Sequence, residues 1–156
     1  MIDIVVPLYP AIMALYHALK DGAAGELQWF DGGTSNEEIE ANFRNQSKFF
    51  YGIIGAAEAD QVDGVEDIWE VSIQLEIYSN YSGRKIVAQK LQALQTYLCR
   101  DAAWLAIESK LLSESFRMIS LSIGPHRINQ PIFSDAGNWQ SGSVNITLKL
   151  NQVTKG

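Results

Sequence analysis

Between Trp69 and Tyr78 the chain alternates without a break: Trp69, Val71, Ile73, Leu75 and Ile77 are apolar, and Glu70, Ser72, Gln74, Glu76 and Tyr78 stand between them. A period of two over this length puts the five apolar side chains on one face of a β-strand, whereas a helix would scatter them around its circumference. Strands with one apolar and one polar face are typical of antiparallel sheets covered on one side. The pattern returns over Ser143–Asn151, where Val144, Ile146, Leu148 and Leu150 alternate with polar neighbours. Two further runs complete a set of four predicted strands. One is Phe49–Gly55; the other is Phe116–Ile123, with Ile119, Leu121 and Ile123 on one face and Gly124-Pro125 as its interruption.

The segments between these strands read as helices and loops. Pro7 and Pro10 suit the first turn of a helix, and Ile12, Leu15, Tyr16 and Leu19 recur at helical spacing until Gly22, which predicts a helix over 8–21. Ser35 followed by Glu38 is a capping box, predicting a short helix over 36–45. Val87, Leu91, Leu94 and Leu98 mark a helix over about 83–100, with Ser82 as its expected N-cap, and Trp104, Ile107, Leu111 and Leu112 add a helical turn or two. Residues 22–34 read as a loop with Trp29 and Phe30 as anchors, 58–67 as an acidic loop or hairpin tip, and 129–141 as an irregular arm or hairpin extension. The expected fold is α+β, in the order helix-strand-strand-helix-strand-strand. It is a mostly antiparallel four-stranded sheet with helices packed on one face and the other face turned to water or a polar partner. At 156 residues the chain, 1–156, is one domain, and its 47% hydrophobic content is enough to fill a core.

Charge is unevenly spread along the chain. Residues 49–83 hold seven acids and no Lys or Arg, while residues 84–156 hold nine cations against four acids. A chain acidic in its middle and basic in its last half can meet a copy of itself head to tail. The alternative is that the charges intermix on the folded surface.

Motifs that carry chemistry are scarce in the chain. Gly22-Ala23-Ala24-Gly25 lacks both the G-K-[ST] tail and the preceding strand of a phosphate loop, and no G-x-S-x-G elbow is present. His17 and His126 stand alone, without neighbouring metal ligands. Cys99, the single cysteine, cannot form an internal disulfide and reads as a buried spacer at a helix end. That usage fits a reducing cytoplasm, and neither a signal peptide nor a run of about 20 apolar residues is found. The acidic stretch lacks the EF-hand pattern. The densest basic cluster, Arg84, Lys85 and Lys90, is too sparse for gripping a nucleic-acid backbone. The reading is a non-enzymatic chain with no catalytic, cofactor-binding or metal-binding residues.

The strand Trp69–Tyr78, the linker Ser79-Asn80-Tyr81-Ser82-Gly83-Arg84-Lys85 and the helix Ile86–Leu98 together resemble the central block of bacteriophage tail-completion and tail-terminator proteins of the long-tailed, tail-tube-like type. The similarity spans about residues 49–100, and beyond them it rests on element order. Two features depart from the family's pattern. Residues 22–48 form a loop and short-helix insertion, and Phe49-Phe50-Tyr51 stands where family members often carry a Pro-Tyr pair. The resemblance implies a structural virion protein without cofactors, found at the head-proximal end of the tail and assembled in the host cytoplasm. It implies a hexameric ring that caps the tail tube, ends its growth and offers a docking surface to the head–tail connector or neck protein. Its partners would be its own copies, the tube protein and the connector, with no membrane and with DNA passing through the lumen without specific binding. In such a ring Glu58, Asp60, Asp63, Glu66 and Asp67 would line the lumen and repel DNA, about thirty carboxylates over six copies. Arg84, Lys85, Arg117 and Arg127 would contact the adjacent subunit or the tube. The competing readings are another connector, neck or tube component, a host-side binding module, and a small-ligand-binding domain.

Overall fold

The computed structural model describes residues 5–62, 64, 67–134 and 137–153. The elements are α1 (Leu8–Asp21), a 3-10 turn (Ala24–Glu26), β1 (Trp29–Asp31), α2 (Asn36–Asn42), β2 (Phe50–Gln61), β3 (Ile68–Ser79), α3 (Lys85–Leu98), α4 (Asp101–Ser113), β4 (Phe116–Ile128), β5 (Ile132–Ser134) and β6 (Gly137–Gln152). The α+β class is as expected. The four-stranded sheet is not: among the described residues there are six strands, in the order β1-β2-β3-β6-β4, with β5 pairing β6 off that path. Nor is pairing wholly antiparallel, since β1 runs parallel to β2 with Trp29 opposite Gly52. Trp29 and Phe30, expected in a loop, lie in this short strand at the edge of β2.

The alternating segment is the central strand of the sheet. β3 pairs β2 on one side and β6 on the other, with Ile73 opposite Ile146 and Leu75 opposite Val144. Val71, Ile73, Leu75 and Ile77 are fully buried; each contributes about 1.5–3 kcal/mol relative to exposure. Helices α1, α3 and α4 cover this face, joining Leu15, Leu19, Leu94, Ile107 and Leu111 to the sheet in one core. At Gly142 a β-carbon would fall 2.6 Å from Val87 Cγ1, so α3 lies directly on the β6 backbone there. Tyr97 ties α3 to α1 by donating its hydroxyl to the Ala18 carbonyl at 2.7 Å.

Several boundaries move from their expected places. β2 runs on to Gln61, so Glu58 and Asp60 are strand residues, opposite Ser72 and Glu70, and not part of a loop. The sequence hides this because the inward positions there are only Ala57 and Ala59. β4 continues through Gly124-Pro125 by means of a bulge between Ile123 and His126. The expected extra turns after Arg100 form a full helix of 13 residues. Ser35 accepts the Glu38 amide at 3.2 Å as the capping box requires, whereas α3 is preceded by Arg84 and its cap makes no side-chain hydrogen bond. Cys99 is exposed, not buried.

Candidate functional site

Two regions of the second sheet face carry the features available for recognition. Side chains alternate strictly, so Tyr51, Ile53, Glu76, Tyr78, Trp139 and Ser141 point away from the main core. This face was expected to be polar throughout, but at one end it is aromatic and covered. Helix α2 lays Ile39 over it, and Phe43 follows; with Phe30 and Tyr51 they form a second, smaller core, against which Phe49, Ile53, Tyr78 and Trp139 pack. Phe43 stacks on Phe49 at 4.6 Å and 8°, and Phe30 meets Tyr51 edge-on at 5.9 Å.

Beside this core a cavity of about 220 Å³ opens. Phe49, Tyr51 and Tyr78 lie nearly parallel, with centroids 6.2 and 5.5 Å apart. Trp139 stands across them as a wall, 5.4 Å from Phe49 at 71° and 6.2 Å from Tyr51 at 69°. Asn36, Ile39 and Glu40 from α2 and Ile132 from β5 also line it, and among the described residues no Lys or Arg does. Burial, reinforced by Tyr78 and by the Glu40 and Glu76 carboxylates, pushes the Tyr51 phenol up to about 12. Burial and then Glu76, whose Oε1 accepts the phenol proton at 3.4 Å, raise Tyr78 as well. These aromatics were visible in the sequence as strand and loop residues. The signal for their grouping was Tyr78 on the polar phase of β3 and the Phe49, Tyr51 spacing of two.

The second region is the rest of that face and its edges. Along β2 and β3 it presents Glu58, Asp60, Glu70 and Glu76; along β6 and β4 it presents Lys149, Arg117 and Arg127. Glu58, Asp60, Glu70, Arg117 and Arg127 are exposed. Among the described residues, β4 pairs only with β6, and β2 beyond Ile54 pairs only with β3, so both outer edges lack a strand partner there.

Glu58 and Asp60 share one strand and one face; Asp67 sits in the turn before β3, its carbonyl accepting the Gln152 amide; Asp63 and Glu66 lie outside the described residues. Arg117 and Arg127 share the β4 edge, while Arg84 and Lys85 are exposed at the start of α3, away from that strand in sequence and element. Lys90 is not a free cation: it bonds Glu26 at 3.2 Å and stands 4.4 Å over the Phe50 ring. His17 packs edge-on to Tyr16, and His126 is exposed on β4. Among the described residues no three His, Cys, Asp or Glu side chains group as a metal site would, and no helix is long and apolar enough to cross a membrane. No protein-family model matches the chain, and no curated protein matches it significantly.

Proposed function

We propose that this chain is a structural subunit that closes into a ring by joining the β4 edge of one copy to the free half of β2 on the next. The observation that carries this reading is the opposite charge of the two open edges at one end of the sheet: Arg117 on β4, paired with Asn151, and Glu58 and Asp60 on the free half of β2, while Arg127 is level with the half of β2 that β1 covers. An unpaired strand edge is a template for another strand. Two different edges meeting give a heterologous contact, which closes into a ring when the rotation per copy allows. Within the sheet β4 runs antiparallel to β2, so copies placed in one orientation around a ring bring the two edges together antiparallel. The side-chain charges then stand on the same face of the continuous sheet, where like charges would repel and opposite charges fix the register.

The resemblance to tail-completion and tail-terminator proteins gives the ring its place. It is a hexamer on the last layer of a phage tail tube, ending polymerisation and presenting a surface to the head–tail connector. With α1, α3 and α4 outside, the polar sheet face turns inward, and the passing duplex meets Glu58, Asp60 and Glu70 beside Lys149, Arg117 and Arg127, a face of mixed charge. Arg84 and Lys85, at the start of α3, face the tube or the neighbouring copy. The test is the native mass of the purified chain, alone and with its tube protein, at rising concentration. A closed oligomer that dissolves when Arg117→Glu and Arg127→Glu are introduced together supports the reading. A chain monomeric in every condition, tube protein included, ends it.

A further inference from the structure

The cavity formed by Phe49, Tyr51, Tyr78 and Trp139 lies apart from the two edges that would join copies, and its composition is specific. Phe49, Tyr51 and Tyr78 are stacked side by side along its floor, and Trp139 stands across Phe49 and Tyr51 as a wall at interplanar angles near 70°. Phe43 backs Phe49 without lining the space, and α2 holds Phe43 in place, so the floor is supported from behind. At about 220 Å³ the cavity is smaller than the roughly 300 Å³ at which pockets for drug-sized molecules begin. It has the size for a head group. Its polar lining is Asn36 and Glu40, with Glu76 held by Tyr78 beside it, and among the described residues no basic side chain reaches the lining. Arg44 lines a neighbouring cleft with Glu37 and Glu40.

Aromatic faces carry negative potential and attract cations centred within about 6 Å of the ring. A compact ammonium such as that of lysine holds its water tightly, and π-faces replace that water poorly. A methylated ammonium has little hydration to lose and presents apolar methyl groups that the rings can cover. We propose that this cavity is an aromatic cage for a methylated ammonium group, with Trp139 as its wall and Glu40 supplying the counter-charge. Such a group reaches the cage either on a free small molecule or on the methylated lysine of a protein.

The experiment is a titration followed by the indole N–H resonance of Trp139, assigned by its loss in Trp139→Phe. The probes are choline, its uncharged carbon isostere 3,3-dimethyl-1-butanol, and a short peptide carrying trimethyllysine beside the unmethylated peptide. The expected result is a saturable shift with choline or with the methylated peptide, absent with the isostere and with unmethylated lysine. A response to choline identifies a free ligand; a response to the methylated peptide alone identifies a protein-borne one. Glu40→Gln keeps the apolar walls and, because Glu40 is exposed, is expected to weaken the cation about two- to fivefold, and Trp139→Leu by at least as much, while thermal unfolding confirms that both variants fold. Equal binding of the isostere, no saturable shift with any charged probe, or unchanged affinity in Glu40→Gln would each overturn the proposal.

Discussion

A β-carbon on Gly52 would fall 2.7 Å from Cε3 and Cζ3 of Trp29, so the indole rests directly on the glycine backbone. The ring cannot retreat. It is 2% exposed, and its Nε1 donates to the Ala24 carbonyl at 2.9 Å, fixing it to the turn that follows α1. Gly52→Ala must therefore move a locked tryptophan or the β1–β2 pair, and overpacking of this kind costs about 1–3 kcal/mol. Chemical denaturation is expected to show that loss for Gly52→Ala. Gly33→Ala, where the nearest atom is an Asp31 carboxylate oxygen at 3.7 Å, should change stability by less than about 0.5 kcal/mol.

The opposite sign is expected between α4 and β4. Ser115 holds φ 68°, a left-handed conformation that costs an ordinary L-residue about 1–2 kcal/mol. The position is over-determined: its amide donates to Leu112 and its carbonyl accepts the Val153 amide, so the chain cannot relax away. Ser115→Gly removes the steric cost and gives back part of it as backbone entropy, for a net gain of up to about 1 kcal/mol. Ser115→Val should lose at least as much. Urea midpoints at constant slope measure both.

Alkaline titration reads out the second core. Tyr51 is raised from the ordinary 10.0 to about 12 by burial first, then by Tyr78 and the nearby carboxylates, and Tyr78 moves in the same direction. In the folded chain these phenols hold their protons where the unfolded chain has lost them. Their contribution to stability is therefore complete below pH 10 and is lost as pH rises through the folded value. Wild type should lose stability steadily between pH 10 and 12, and Tyr51→Phe should flatten that loss. In the absorbance titration Tyr51→Phe should remove one late-ionising phenol; removal of an early one would contradict the buried placement.

What the sequence discloses and what it withholds divide along a physical line. β3, β6 and α1 are legible because each buries one face continuously, so Val71 to Ile77, Val144 to Leu150 and Ile12 to Leu19 carry the period of their element. The outer half of β2 is not, because an edge strand buries little and Ala57 and Ala59 are its only inward apolar residues. β1 is three residues long and exists only through its parallel partner, a non-local event that periodicity does not record. The aromatic cavity follows the same rule. Tyr51 and Tyr78 are neighbours across a ladder, but Glu40 comes from a helix whose capping box fixes its start and says nothing of the face it will cover. Of the acidic stretch expected as a loop, Glu58 and Asp60 stand on a strand beside Glu70, whereas Asp67 lies in the turn before β3.

That placement makes the ring testable by charge exchange. One variant carries Arg117→Glu and Arg127→Glu, so both of its edges are acidic; the other carries Glu58→Arg and Asp60→Arg, so both are basic. Each alone sets like charges face to face along a strand pair and should stay dissociated. Mixed one to one, every contact joins an acidic edge to a basic one, and an alternating ring of even copy number should return, visible by native mass. Because each exposed pair across the contact is worth at most about 1 kcal/mol, rescue should weaken as salt rises toward 1 M, where the screening length is about 3 Å. Assembly of either variant alone as well as wild type would mean that the two edges do not meet, and the ring would have to close through another surface.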